Sequence, residues 1–112
     1  MKLKALVPLP QHRETFKRNR ARFVPSLPGC YVLTTFEGDV LYIGLSVNLR
    51  KRMNNHLDNS QKTGTSKNGR AVFFHWHQSS ELNKIERTWL NIHIEHEGIL
   101  PILNSIYSPT AT

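Results

Sequence analysis

The segment GCYVLTTFEGDVLYIG, residues 29–44, constrains this chain more than any other. From Cys30 to Phe36 the residues are mostly β-branched, aromatic or aliphatic. Glu37, Gly38 and Asp39 carry turn chemistry, and Val40 to Ile43 resume the strand signal. Two apolar runs around a short Gly–Asp turn specify a β-hairpin with antiparallel strands. A chain of 112 residues suits one compact domain with a modest core.

Helical signals follow the hairpin. Leu49, Met53 and Leu57 recur at spacing four, an apolar stripe for a helix from about residue 47 to 57, with Ser46 as its expected N-cap. Arg52 and His56 are also four apart and share a face beside that stripe. Residues 58–70, DNSQKTGTSKNGR, read as a polar mobile loop. AVFFHWH supplies a third strand, on which His75 and His77 point the same way. Leu82, Ile85, Trp89 and Ile92 form the stripe of a second helix, from about 81 to 95, with Gly98 at its C-terminal cap. The expected architecture is α+β: a small antiparallel three-stranded sheet with flanking helices. A basic N-terminal arm or helix (residues 1–27) precedes the domain (28–105), an extended apolar segment closes it, and a tail (106–112) ends the chain.

Fifteen Lys and Arg against eight Asp and Glu give a net charge of +7 and a pI near 10.0. That excess favours a polyanionic partner, nucleic acid first. Arg18, Arg20 and Arg22 of the arm, with Arg50, Lys51, Lys62, Lys67 and Arg70, are the expected phosphate contacts. Cys30 is the lone cysteine, which excludes an intramolecular disulfide and fits a reducing compartment. The N-terminal apolar run is broken by Pro8 and Pro10 and makes a poor secretory signal. No apolar run approaches the roughly 20 residues of a membrane span. The expected location is cytoplasmic (nucleoid-associated) or nuclear, not secreted and not membrane-bound. His75, His77, His93 and His96 match no zinc-ligand signature closely.

One ordered set of residues carries a resemblance. Tyrosine triplets at 29–31 (GCY) and 42–44 (YIG) fall on neighbouring strands, followed by Arg52 and His56 on one helix, Glu86 in the next, and Asn104 after LPIL. The set resembles the GIY-YIG nuclease family over roughly residues 28–104. Cys30 departs from the isoleucine common there; on a strand it acts as a small hydrophobe pointing away from the tyrosines.

The resemblance implies a metal-dependent endonuclease cleaving DNA phosphodiester bonds. It implies that Tyr31 takes the proton from water, with Tyr42 or His56 assisting; Tyr42 as the base is the alternative. A phenol, with a usual pKa of about 10, needs nearby cations for this work. Arg52 can grip a phosphate oxygen and hold developing charge. Glu86 is the metal candidate, since Mg²⁺ is satisfied by one or two carboxylates plus water and phosphate oxygens, and Mn²⁺ can substitute. Asn104, by resemblance, holds the tail and the hydrogen-bond network. The reading expects the phenols, Arg52 and Glu86 to share one shallow basin. One site cuts one strand, so double-strand cleavage calls for a homodimer, a partner subunit or sequential nicking. Restriction, repair, mobile-element transfer and recombination would all use such an enzyme. The rival is a non-catalytic DNA- or RNA-binding module that retains the fold.

Overall fold

The computed structural model describes residues 1–104; the expected tail, residues 106–112, lies outside them. The elements are β1 (His12–Thr15), β2 (Gly29–Thr34), β3 (Val40–Ser46), α1 (Leu49–Leu57), α2 (Ser60–Thr63), β4 (Phe73–Gln78) and α3 (Leu82–Glu97). Short 3₁₀ turns at Leu3–Ala5 and Arg18–Phe23 flank β1. The sheet is antiparallel and has four strands, in the order β1-β4-β2-β3, not the expected three. The fourth comes from the N-terminal segment. Its sequence, HRET, has no apolar alternation, because β1 is an edge strand held by its ladder to β4 and by two ring contacts. His12 stacks on Trp76, and the Arg13 guanidinium lies 4.4 Å over the Phe73 ring.

Strand β2 is buried along its whole length and separates two cores. Tyr31, Leu33, Leu41, Phe74 and Trp76 pack with Leu49 and Met53 of α1 on one face. Cys30, Val32, Val40 and Ile43 pack with Trp89 on the other, where Leu82 and Ile85 of α3 join them. The sheet therefore sits between α1 and α3, and alternation along β2 sends Tyr31 and Cys30 to opposite layers. Burial pushes the Cys30 thiol up to about 11, in keeping with a packing role.

Local detail departs from the sequence reading in three places. Asn48, not Ser46, caps α1: its side chain accepts from the Lys51 N–H at 3.1 Å. Ser46 instead accepts from the Asn48 N–H and donates to the Asn48 carbonyl, shaping the turn that leads into the helix. The expected loop contains α2, whose N-cap Asn59 accepts from the Gln61 N–H. Residues 102–104 form a turn in place of the expected extended segment: the Asn104 N–H bonds the Pro101 carbonyl, and the Leu103 N–H bonds the Leu41 carbonyl on the outer side of β3.

Gly29 sets how closely α1 approaches the sheet. A Cβ there would fall 2.7 Å from both the His77 carbonyl oxygen and Leu49 Cδ1. Gly29→Ala should therefore lower the unfolding free energy by about 1–3 kcal/mol, as overpacking does. Denaturant titration checks this; an unchanged midpoint would show that α1 can retreat without cost.

Candidate active site

The β2/β3 register builds the site. Tyr31 lies directly opposite Gly44, and Leu33 opposite Tyr42, so both tyrosines project on the α1 side of the sheet. A Cβ at residue 44 would sit 2.6 Å from the Tyr31 hydroxyl and 2.8 Å from the Tyr42 ring. Only glycine leaves room for the Tyr31 phenol to cross β3. The Tyr31 ring is stacked against Phe74 at 5.0 Å and Tyr42 at 5.8 Å, and is 0 % exposed.

Helix α1 brings the other groups. The Tyr31 hydroxyl and His56 Nε2 are 2.6 Å apart in a buried hydrogen bond. The Tyr42 and His56 rings meet edge-on at 5.0 Å. Burial drives the Tyr31 phenol well above its ordinary range; Tyr42 adds to that, while the Arg52 cation opposes it. Burial, then Lys62 and then Arg52, hold His56 down to about 3. The imidazole is thus neutral at physiological pH, and in its Nδ1–H tautomer Nε2 accepts from the Tyr31 O–H. Tyr31, Tyr42, Arg52 and His56 are brought together.

Asn104 serves the site from outside the sheet. Its Oδ1 accepts from the Ile43 N–H and its Nδ2 donates to the Ile43 carbonyl, both at 2.8 Å. One side chain thereby satisfies two edge groups of β3 between the tyrosine and the glycine of YIG.

Glu86 stands apart. It belongs to α3, on the face turned to the sheet between Leu82 and Trp89, and its charge acts on Cys30. The expected single basin gives way to a division: the phenols lie on the α1 face, while α3, which carries Glu86, packs on β2 and the edge strand β3 from the other face. The carboxylate is half-buried, burial pushes its pKa up, and no ion pair among the described residues engages it. Such a group fits a hydrated divalent ion. No set of three or more His, Cys, Asp or Glu could hold a metal among the described residues, so Glu86 would rely on water and substrate for the remaining ligands.

The expected phosphate contacts divide. Lys51, Lys67 and Arg70 are exposed. Arg20 is committed to Glu14 through two hydrogen bonds of 2.8 and 3.1 Å, Arg18 pairs with Asp58, and Arg22 lies over Phe23. Arg50 donates to the Val24 and Arg22 carbonyls, fastening the N-terminal segment to α1. Lys62, expected on a surface loop, is buried instead: it is 5 % exposed and its ammonium donates to the Leu103 carbonyl. Nothing in a polar, Gly-bearing stretch signalled that burial. Asn59, a competent N-cap, was the legible hint that a helix starts at residue 60.

The GIY-YIG catalytic domain matches residues 27–98, well over half of the chain. The chain belongs to the GIY-YIG family. It carries a nuclease domain. Curated relatives include UvrABC system protein C of Mesoplasma florum, 33 % identical over 55 residues, which are 49 % of this chain and 9 % of that protein. The Lactobacillus gasseri protein of the same name is 35 % identical over 43 residues, 38 % of this chain and 7 % of that one. The matched stretches thus span less than a tenth of those proteins' length. No helix among the described residues is long and apolar enough to cross a membrane.

The buried imidazoles couple stability to pH. Burial holds His56 down to about 3 and His75, bonded through Nε2 to Thr34, down to about 4. The unfolded chain would protonate both near 6.5. Their contribution is therefore complete above about pH 6.5 and is lost as pH falls toward 4, at about 1.4 kcal/mol per pH unit for each ring. Thermal midpoints should drop steadily over that window, and His75→Gln should flatten the slope. An acid-insensitive midpoint would show that these rings are not buried and neutral.

Proposed function

We propose that this chain is a divalent-metal-dependent endonuclease hydrolysing DNA phosphodiester bonds. The observation that carries this reading is the buried Tyr31–His56 hydrogen bond with Tyr42 and Arg52 gathered around it. Family membership and the net charge of +7 point to a nucleic-acid phosphodiester as substrate.

The geometry favours Tyr42 as the phenol that meets water. Tyr31 is sealed and its hydroxyl is engaged by His56, whereas Tyr42 is half-buried at the rim. As the water oxygen attacks phosphorus and the ester P–O bond opposite it breaks, the water proton passes to the Tyr42 oxygen and the departing sugar oxygen takes up a proton from solvent. The Tyr42 proton moves to Tyr31 and the Tyr31 proton to His56 Nε2. This relay needs no free phenolate beforehand. The imidazole is a weak base in the empty site; a phosphate anion drawn in beside it raises its affinity for a proton. Arg52 grips the phosphate and holds the charge that develops on its oxygens. Glu86 would hold Mg²⁺, or Mn²⁺ in its place, which when bound polarises the phosphate and stabilises the leaving oxygen. Glu86 would hold the ion, while Tyr42 and Arg52 would engage the substrate. Cleavage of both strands would use two copies or a partner subunit.

One observation favours the rival, a DNA- or RNA-binding module without catalysis: α3 and Glu86 lie across the sheet from the phenols. Nicking of supercoiled plasmid and of branched and single-stranded DNA, with Mg²⁺ or Mn²⁺, separates the two. The unsubstituted protein should nick in a metal-dependent manner. Glu86→Gln and Tyr42→Phe should each lower the rate by about 10²-fold or more while binding DNA as before. A protein that shifts DNA in a gel yet never nicks it would establish the module. Affinity should also fall steeply with salt; with six phosphates neutralised, log K falls with log salt at a slope of about −5.

A further inference from the structure

The nuclease reading leaves one buried charge without a task. Lys62 lies on α2, in contact with α1 across the site. Its Nζ donates to the Leu103 carbonyl at 3.1 Å and sits 4.5 Å from the centroid of the Tyr42 ring. A buried ammonium ordinarily finds a carboxylate. None of the ion pairs among the described residues includes Lys62. Among the described residues, the charged and titratable groups around it are His56 of α1, on which Lys62 and Arg52 both act, and Tyr42 of β3, whose hydroxyl-bearing ring neighbours Tyr31; the Leu103–Asn104 turn offers a backbone carbonyl. Two cations thus flank His56 beside two phenols, and no carboxylate among the described residues pairs with Lys62.

We propose that Lys62 is a positioning residue of the catalytic centre: it clamps the Leu103–Asn104 turn to the Tyr42 ring and sets a fixed positive charge beside the phenols and imidazole. This rests on the nuclease reading for what the charge accomplishes, not for where it lies.

The clamp has a mechanical side. Leu103 and Asn104 bond Leu41 and Ile43, the residues either side of Tyr42. Lys62 closes this loop of contacts by holding the Leu103 carbonyl from within and the Tyr42 ring by its face. Its electrostatic side follows from the same placement. The ammonium repels a proton from His56, so the imidazole stays neutral until substrate brings negative charge. Burial lowers the pKa of Lys62 itself, which suits an ammonium poised to respond to arriving charge.

Two variants and one measurement on the unsubstituted chain test this. Lys62→Met removes the charge but keeps much of the bulk; Lys62→Arg keeps the charge. In Lys62→Met the His56 titration, followed by NMR, should rise by about half a pH unit or more, and Lys62→Arg should leave it near its original value. The Lys62→Met nicking rate should fall at least about tenfold in kcat with KM for DNA within about twofold, because Lys62 acts through Tyr42 and not as a surface phosphate contact. Lys62→Arg should recover most of that rate. In the unsubstituted protein, ¹⁵N-lysine NMR should show one ammonium titrating below the exposed lysines; this reading holds whether or not Lys62→Met folds. Failure shows as an unshifted His56 in a folded Lys62→Met protein, or as fifteen-nitrogen lysine signals that all titrate like exposed ammoniums. A chain that cleaves no DNA removes the nuclease reading, and the two NMR titrations then decide the placement of the charge.

Discussion

The site depends on a missing side chain. Tyr31 reaches His56 only because residue 44, its partner across the β2/β3 ladder, has no Cβ. Any larger residue would occupy the space of the phenol oxygen, and the 2.6 Å bond to His56 would be lost. Gly29 does the same for α1, clearing the approach of Leu49 to the sheet. The glycine of the second triplet thus makes room for the tyrosine of the first, and the glycine of the first makes room for α1. The resulting packing is tight: Phe74 backs the Tyr31 ring, Tyr42 flanks it and α1 closes over it. A phenol so enclosed keeps its proton, and an imidazole so enclosed stays neutral; both follow from desolvation, the largest influence on each.

The edge of the sheet matters as much as its centre. Strand β3 has one neighbour in the sheet, and the Leu103–Asn104 turn supplies partners for part of its outer side. Asn104 fits this job because one amide offers both an acceptor and a donor, matching the C=O and N–H of Ile43. The same turn receives the Lys62 ammonium. The Leu103–Asn104 turn, α2 and the YIG strand are therefore linked by direct contacts, and the strand separates the phenols on one face from α3 on the other.

Much of this was legible in the chain. The hairpin announced itself by two apolar runs around Glu37–Gly38–Asp39, and the stripes of α1 and α3 by their spacing. Arg52 and His56 fell where a four-residue step beside the stripe placed them. What stayed hidden has physical causes. Strand β1 is polar because an exposed edge needs no apolar face. Lys62 is buried by tertiary contacts from a turn some 40 residues away, which no local pattern encodes. Ser46 and Asn48 are both competent caps, and the choice between them turned on where β3 ended. The division of Phe-face from Cys-face followed from alternation, yet which helix took which face did not. The arm's charge was visible as composition; its partial consumption by Glu14, Asp58 and backbone carbonyls was not.

The central claim is that Glu86 holds the metal while Tyr42 and Arg52 engage the substrate. Its most direct test is a crystal of Tyr42→Phe with an oligonucleotide and Mn²⁺, with the metal located by anomalous scattering. The account requires one manganese on the Glu86 carboxylate and a backbone phosphate shared between that ion and Arg52. Manganese elsewhere, or DNA lying on a surface that touches neither Arg52 nor Glu86, would contradict it.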